Sequence, residues 1–247
     1  MHAIMLAAGR GMRLSGGSGG LPPKSLLRFG GKSLLRRHFE ALRAAGIDKL
    51  TLILGYRAAD IHAELAAIGA DGWVTTIFNP RYREGAVVSL WAGREVLRGG
   101  DDVLLMDADV LYHPDVLCRL TGSPLRNCLL IDRDLEPGEE PVKICLRAGR
   151  IVEFGKTVEG AFDRVGEWPG FLRLEPGMAA ELATITDQFV AAGRYEEPYE
   201  PAIREILLSG SPSRFGVEDI TGLPWIEIDT PEDLRRAREK ILPSLGE

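Results

Sequence analysis

Cysteine is nearly absent from this chain, with three residues in 247: Cys118, Cys128 and Cys145. Their odd number and irregular spacing exclude a disulfide-stapled secreted scaffold and a zinc ribbon. They predict reduced core thiols in a cytoplasmic protein. Histidine is as sparse: His2, His38, His62 and His113 form no pair at metal-ligand spacing, and none reads as catalytic. No run of 18 apolar residues occurs, so no membrane span is expected. The opening apolar stretch, 2–8, lacks a basic leader and reads as a buried strand rather than a signal peptide. Basic residues are outnumbered, 30 Lys and Arg against 36 Asp and Glu, which argues against a nucleic-acid or membrane-surface partner. No Gly-x-Ser-x-Gly and no cysteine in a hydrolase-like context occurs, so nucleophilic hydrolysis has little support. At 45% apolar and 27% charged, composition is ordinary, and the length suits one domain over 1–247.

Apolar runs at 3–8, 49–54, 73–78, 102–106 and 128–132 predict buried strands. Amphipathic stretches at 33–45, 58–68, 87–97 and 114–120 predict the helices between them. That alternation implies an α/β fold with a mainly parallel, doubly wound, Rossmann-like sheet. The pattern changes near residue 137. Runs at 142–146 and 150–154 flank Arg147-Ala148-Gly149, a hairpin signal. A strand at 171–174, helices at 178–192 and 198–208, a strand at 225–228 and a helix at 231–241 follow. Thr230 is the expected N-cap of that last helix. The first 136 residues therefore read as a nucleotide-binding half, and 137–247 as a small β-rich acceptor lobe with a closing strand and helix. Ser-Gly-Gly-Ser-Gly-Gly at 15–20 is the one low-complexity stretch, inside the first strand–helix connection.

That connection carries chemistry. Gly9 and Gly11 let backbone approach a ligand and offer N–H groups to anionic oxygens. Arg13 and Lys24 supply two cations for a polyphosphate. With only six lysines against 24 arginines, a lysine beside proline in a loop is informative. As a loop residue it should add little to packing. The spacing fits neither a P-loop nor a dinucleotide fingerprint, because no Gly-Lys-Ser/Thr follows and position 14 is Leu. Asp107 and Asp109 stand two apart at a strand end, and Glu227 and Asp229 repeat the spacing at another. On a strand, each pair would point to one side. Carboxylates so arranged suit Mg²⁺, which takes few protein oxygens and keeps phosphate oxygens and waters as its other ligands. The alternative reads Asp109 as a turn residue and Asp229 as a helix cap. Asn79, Tyr82 and Ser89 surround the third strand's end and are candidates for the nucleotide pocket. Trp168, Tyr195, Tyr199 and Glu200 form either an aromatic, acidic cage for a cationic head or ordinary helix packing.

The string Leu6-Ala7-Ala8-Gly9-x-Gly11-x-Arg13-Leu14, followed by Pro23-Lys24-x-Leu26-Leu27, resembles the MobA-like and sugar-phosphate nucleotidyltransferase superfamily. Gly55-Tyr56 resembles its second-strand turn, and Leu104–Asp109 its strand ending in a metal-binding Asp. The run from Trp225 to Leu234, and Tyr199-Glu200-Pro201-Ala202, resemble the branch that cytidylylates phospho-alcohols, including phosphocholine and inositol 1-phosphate. The resemblance implies transfer of CMP from CTP to a phosphorylated or phosphonylated small alcohol, with pyrophosphate released. It implies Ala7, Ala8, Gly9, Gly11, Gly55, Tyr56, Asn79 and Ser89 on the nucleotide, and Arg13, Lys24 and Lys156 as catalytic cations. Asp107, Asp109, Glu227 and Asp229 would serve Mg²⁺, and Trp168, Tyr199 and Glu200 the acceptor, with Lys143 a weaker phosphate candidate. Monomer and homodimer are both open. The rivals are a sugar-1-phosphate or molybdopterin nucleotidyltransferase on the same fold, a non-catalytic nucleotide-binding regulator, and a metal-dependent glycosyltransferase.

Overall fold

The computed structural model describes residues 1–17, 20–70, 72–135, 141–210 and 214–246. In chain order the strands are β1 (His2–Ala7), β2 (Arg28–Phe29), β3 (Lys32–Ser33), β4 (Lys49–Leu54), β5 (Val74–Phe78), β6 (Val103–Asp107), β7 (Val110–Tyr112), β8 (Cys128–Ile131), β9 (Lys143–Arg147), β10 (Arg150–Gly155), β11 (Arg164–Glu167), β12 (Phe171–Leu174), β13 (Gly216–Asp219) and β14 (Trp225–Glu227). The α-helices are α1 (Leu34–Ala44), α2 (Ala58–Ala67), α3 (Ala86–Ala92), α4 (Arg94–Leu97), α5 (Pro114–Thr121), α6 (Pro176–Ala191), α7 (Glu200–Leu208), α8 (Pro231–Arg236) and α9 (Leu242–Ser244), and a 3-10 turn spans Lys24–Leu26.

Seven strands form the central sheet in the order β13-β8-β12-β6-β1-β4-β5. All run parallel except β12, which is antiparallel to both β6 and β8. Alternation along each strand feeds two cores, the expected consequence of burial on both faces. Ala3, Met5, Leu104 and Met106 pack with α1, α2 and α5. Ile4, Val103, Leu105 and Leu129 pack with α3, α4, α6 and α7. A separate antiparallel sheet, β10-β9-β11, forms the β-rich lobe. Its hairpin turns through Ala148 (φ 50°) and Gly149 (φ 77°), both left-handed, as a two-residue primed turn demands. The lobe is sewn to the sheet where Asp132 and Glu167 exchange backbone hydrogen bonds of 2.9 and 2.7 Å.

Several expectations need correction. The helix at 87–97 is two helices, broken at Gly93, where a Cβ would sit 3.3 Å from Ile53 Cδ1 beneath it. The last helix keeps its form only to Arg236, and a π turn occupies Ala237–Ile241. Cys128 and Cys145 are buried thiols, but Cys118 is exposed. The buried stripe of α5 is Val116, Leu117 and Leu120, which turns Cys118 outward. The strand at 171–174 exists, but it returns into the central sheet instead of staying in the lobe. The junction near residue 137 lies outside the described residues. Among the described residues no helix is long and apolar enough to cross a membrane.

Candidate active site

The sheet's strand order reverses around β1, with β4 on one side and β6 on the other. Parallel sheets bind ligands beyond the carboxyl ends of the strands at such a point. The glycine loop leaves β1 there, and Leu6 lies in register with Asp107 of β6. Between them opens a cavity of about 410 Å³. Of the residues expected on the nucleotide, Ala7, Ala8, Gly9, Gly11 and Ser89 line it, and so does Lys24 of the expected catalytic cations. Gly11 is left-handed (φ 60°), and a Cβ on Gly9 would meet no protein atom, so the loop is open on its ligand side. The opposite wall is the segment Tyr82, Glu84, Gly85 and Ala86, which sequence reasoning credited only at Tyr82. Gly85 is pinned there because a Cβ would fall 2.1 Å from the Glu197 carbonyl oxygen.

Gly55, Tyr56 and Asn79 are not part of that lining; they hold it up. A Cβ on Gly55 would lie 2.3 Å from Tyr82 Cβ and 2.9 Å from the Ala8 carbonyl, so only glycine lets those walls meet. The Tyr56 N–H donates to the Ala8 carbonyl at 3.1 Å. Asn79 is buried; its amide donates to Ser89 Oγ at 3.0 Å and its carbonyl accepts from the Arg81 N–H at 2.9 Å.

A second cavity, about 610 Å³, adjoins the first. The two share Ala86, Asp107, Asp109 and Tyr199 as walls. Arg13, Lys156, Trp168, Glu200, Glu227 and Asp229 line only the second. So do Asp132, Asp134, Glu167 and Trp225, which sequence reasoning did not assign. Trp225 stood within a recognised motif, but its indole N–H bond to Asp132, 2.7 Å and 93 positions away, had no local signal.

The closing segment reaches the site through pairing. β14 runs antiparallel to β7 with Glu227 opposite Val110, and the Ile228 N–H donates to the Asp109 carbonyl at 3.0 Å. Thr230 caps α8 in a capping box with Asp233, whose carboxylate also accepts the Asp229 N–H at 3.1 Å. Asp229 thus lands beside Asp109. Oxygens of Asp109, Glu227 and Asp229 lie within 4.8 Å of one another. Lys24 Nζ bridges two of them, 2.9 Å from Asp109 Oδ2 and 2.5 Å from Asp229 Oδ1. Arg13 adds a 2.6 Å bond to Asp229. Burial draws the Lys24 ammonium down, but Asp109 and Asp229 outweigh it and hold its pKa above the ordinary range. Asp229 is held below its ordinary value, since Lys24 and Arg13 overcome its burial. Glu227 is raised well above its own by burial and by its two carboxylate neighbours.

Asp107 does not join that cluster. The strand breaks at Ala108, so the two-apart rule for strand side chains no longer sets the relation of the pair, although both still face the two cavities. Asp107 Oδ2 accepts from the Tyr199 hydroxyl at 2.5 Å. Burial, then the neighbouring Asp109, raise its pKa well above the carboxylate range. Gly170, left-handed at φ 86°, lets the chain pass over Asp107, where a Cβ would come within 2.6 Å of Oδ2. Trp168 is buried between the rings of Phe154 and Tyr199, at 5.2 and 6.1 Å between centroids, and its indole N–H is satisfied by the Phe171 carbonyl at 2.8 Å. Trp168 and Tyr199 therefore build the cavity wall as well as line it. Tyr195 lies apart, its ring under the Arg81 guanidinium at 4.0 Å. Lys143 donates to the Lys156 carbonyl at 2.8 Å, which fixes the turn that carries Lys156.

Known proteins resemble this chain over most of its length. It is 29% identical over 245 residues to the bifunctional IPC transferase and DIPP synthase of Rubrobacter xylanophilus, covering 97% of this chain and 52% of that protein. It is 26% identical over 253 residues to the CMP-5′-(3-aminopropyl)phosphonate synthase of Streptomyces rubellomurinus, covering 98% and 39%. The chain thus spans about half, or less, of these relatives' length. It is 23% identical to the CTP:phosphoglutamine cytidylyltransferase of Campylobacter jejuni, covering 97% and 100%. Among solved structures, the inositol-1-phosphate CTP transferase of T. maritima superimposes with a TM-score of 0.78 at 21% identity, over 99% of this chain and 94% of that one. The CTP:phosphocholine cytidylyltransferase of Streptococcus pneumoniae gives 0.72 at 20%, over 96% and 97%. These neighbours share the nucleotide-diphospho-sugar transferase fold of a mostly parallel sheet with added antiparallel strands. A family model matches residues 3–148, which carry the glycine loop, Lys24 and Asp109, and the chain belongs to the MobA-like NTP transferase domain family.

Proposed function

We propose that this protein is a cytidylyltransferase that moves CMP from CTP to a small phospho- or phosphono-alcohol with a cationic head, such as phosphocholine, releasing pyrophosphate. One observation carries the reading: the nucleotide cavity opens into a second cavity lined, besides Asp109, Glu227 and Asp229, by six further carboxylate side chains, three basic ones and the rings of Trp168, Tyr199 and Trp225. A neutral polyol gains little from such a wall, whereas an ammonium is attracted by both the carboxylates and the ring faces. Glu200 adds to this, because its buried Oε2 takes no hydrogen bond among the described residues. The names of two relatives, one a cytidylyltransferase and the other a synthase of an aminopropylphosphonate, support cytidylyl transfer and an amine-bearing acceptor.

In this reading the acceptor's phosphate or phosphonate oxygen attacks the α-phosphorus of CTP in line with departing pyrophosphate. Lys156 orients the acceptor phosphate from the second cavity. Arg13 and Lys24 turn from Asp229 and Asp109 to the triphosphate and stabilise charge moving onto pyrophosphate. Three carboxylates crowded within 4.8 Å, one of them with its pKa pushed well up by burial and then by its carboxylate neighbours, are a hard-oxygen donor set of the kind that Mg²⁺ takes. Asp109, Asp229 and Glu227 would hold it, and Asp107, bonded to Tyr199, would stand behind them. The ion would supply charge neutralisation at the phosphates. No covalent enzyme intermediate is needed.

The test is a pyrophosphate-release screen of the four nucleoside triphosphates against phosphocholine, 2-aminoethylphosphonate, inositol 1-phosphate and glucose 1-phosphate. Turnover is expected with CTP and the two cationic acceptors. Preference for inositol 1-phosphate or the sugar phosphate, or for a nucleotide other than CTP, overturns the reading.

A further inference from the structure

His38 is 1% exposed, on the helix α1 behind the glycine loop, and no step of the proposed reaction uses it. Both ring nitrogens nevertheless have partners. Nε2 lies 3.3 Å from the Ala108 carbonyl, and Nδ1 3.2 Å from the Tyr112 hydroxyl. A carbonyl only accepts, so Nε2 carries the proton, and Nδ1 of a neutral ring accepts from the Tyr112 O–H. Burial drives the imidazole pKa to about 4, so the ring is neutral at pH 7.

The two partners bracket one short segment. Ala108 and Tyr112 stand on either side of Asp109, at the break between β6 and β7. The Ala108 carbonyl belongs to the peptide that carries the Asp109 N–H, so its direction sets the direction in which Asp109 leaves the chain. On the far side the Asp109 carbonyl is held by the Ile228 N–H at 3.0 Å, and its carboxylate meets Lys24. Tyr112 is itself wedged edge-on to Phe171 of β12, with centroids 5.0 Å apart. A leucine would fill the same apolar volume without either hydrogen bond.

We infer that His38 is a positioning residue: its Nε2–H tautomer, fixed by Tyr112, orients the Ala108–Asp109 peptide and so aims the Asp109 carboxylate at the cation site. This rests on the reading of Asp109 as a metal ligand. Partners one step behind metal ligands change metal affinity about 10- to 100-fold when removed.

The experiment measures Mn²⁺ binding to the full chain in the presence of CTP, by calorimetry and electron paramagnetic resonance, for the wild type and three variants. His38→Leu is expected to weaken Mn²⁺ at least about 10-fold. His38→Gln, whose amide reaches the Ala108 carbonyl, should recover most of that loss. Tyr112→Phe, which keeps the ring and removes only the hydroxyl, should produce a smaller weakening. Nitrogen NMR of the wild type at pH 7 should show the Nε2–H tautomer. A folded His38→Leu with wild-type Mn²⁺ affinity overturns the inference, as does an Nδ1–H ring. If His38→Leu fails to fold, the tautomer and the Tyr112→Phe affinity decide, and an unchanged affinity in Tyr112→Phe overturns it. A wild type that binds no Mn²⁺ with CTP removes the metal reading and this inference together. Binding that His38→Leu leaves unchanged removes this inference alone.

Discussion

Lys24 and Asp229 are 205 positions apart in sequence and share a hydrogen bond of 2.5 Å. Together with Arg13 and Asp109 they form a small neutralising lattice in which two cations quiet two carboxylates. In the proposed reaction, a triphosphate that draws the cations away would leave those carboxylates for a divalent ion. Lys24→Ala should therefore lower kcat/KM by at least about 10²-fold, or about 2.7 kcal/mol, because the contact strengthens as pyrophosphate departs. A lysine in a loop reads from sequence as irrelevant to packing. Here its side chain is only 16% exposed, so its removal strands partly buried carboxylates and should also lower Tm. Adding Mg²⁺ and CTP should restore Tm but not turnover; calorimetry beside a pyrophosphate assay checks both. At this scale the grouping of Arg13, Lys24, Asp109 and Asp229 was legible: their residue types made each a site candidate, and the structure brings the four side chains together. The absence of Asp107 from the Asp109, Glu227 and Asp229 group was not, because the strand breaks in a bend at Ala108 that no side-chain pattern encodes.

Among the elements, long ones announced themselves and short ones did not. The Lys49–Leu54 strand and the helix Leu34–Ala44 fall within a residue of where hydrophobic period puts them. β7, β11 and β13 have three or four residues each, too few to show a period. β7 nevertheless fixes the register that delivers Asp229. The turn into β12 is similar: from sequence Trp168 reads as part of a cage for a cationic head or as helix packing, while the structure also shows backbone at Gly170 laid over Asp107. Gly170→Ala places a side chain at φ 86° and 2.6 Å from Asp107 Oδ2. It should cost about 1–3 kcal/mol from backbone strain alone. The Tyr199–Asp107 bond should break with it. The urea midpoint reads the first effect, and the Tyr199 hydroxyl resonance the second.

For the whole molecule, alternating strands and helices made the doubly wound half readable, since burial on both faces leaves continuous apolar runs. What the pattern could not reveal is the order of strands in space. β12 carries four residues whose composition fits either direction and either sheet, so its placement is decided by long-range pairing. It fills the slot between β6 and β8, with Phe171 opposite Met106 and Leu172 opposite both Leu105 and Leu129. That arrangement has a consequence for how the chain is made. A ribosome delivers the amino-terminal half first, yet that half cannot close its own sheet. Until residues 171–174 emerge, β6 and β8 each present a row of unpaired backbone groups, with nothing between them. The segment that looks like a self-contained nucleotide-binding half is, in the order of synthesis, unfinished. A fragment of residues 1–135 should show no cooperative thermal transition. Mixing it with a fragment of residues 136–247 should restore one, and a sharp transition in the first fragment alone would show that the slot closes without its strand.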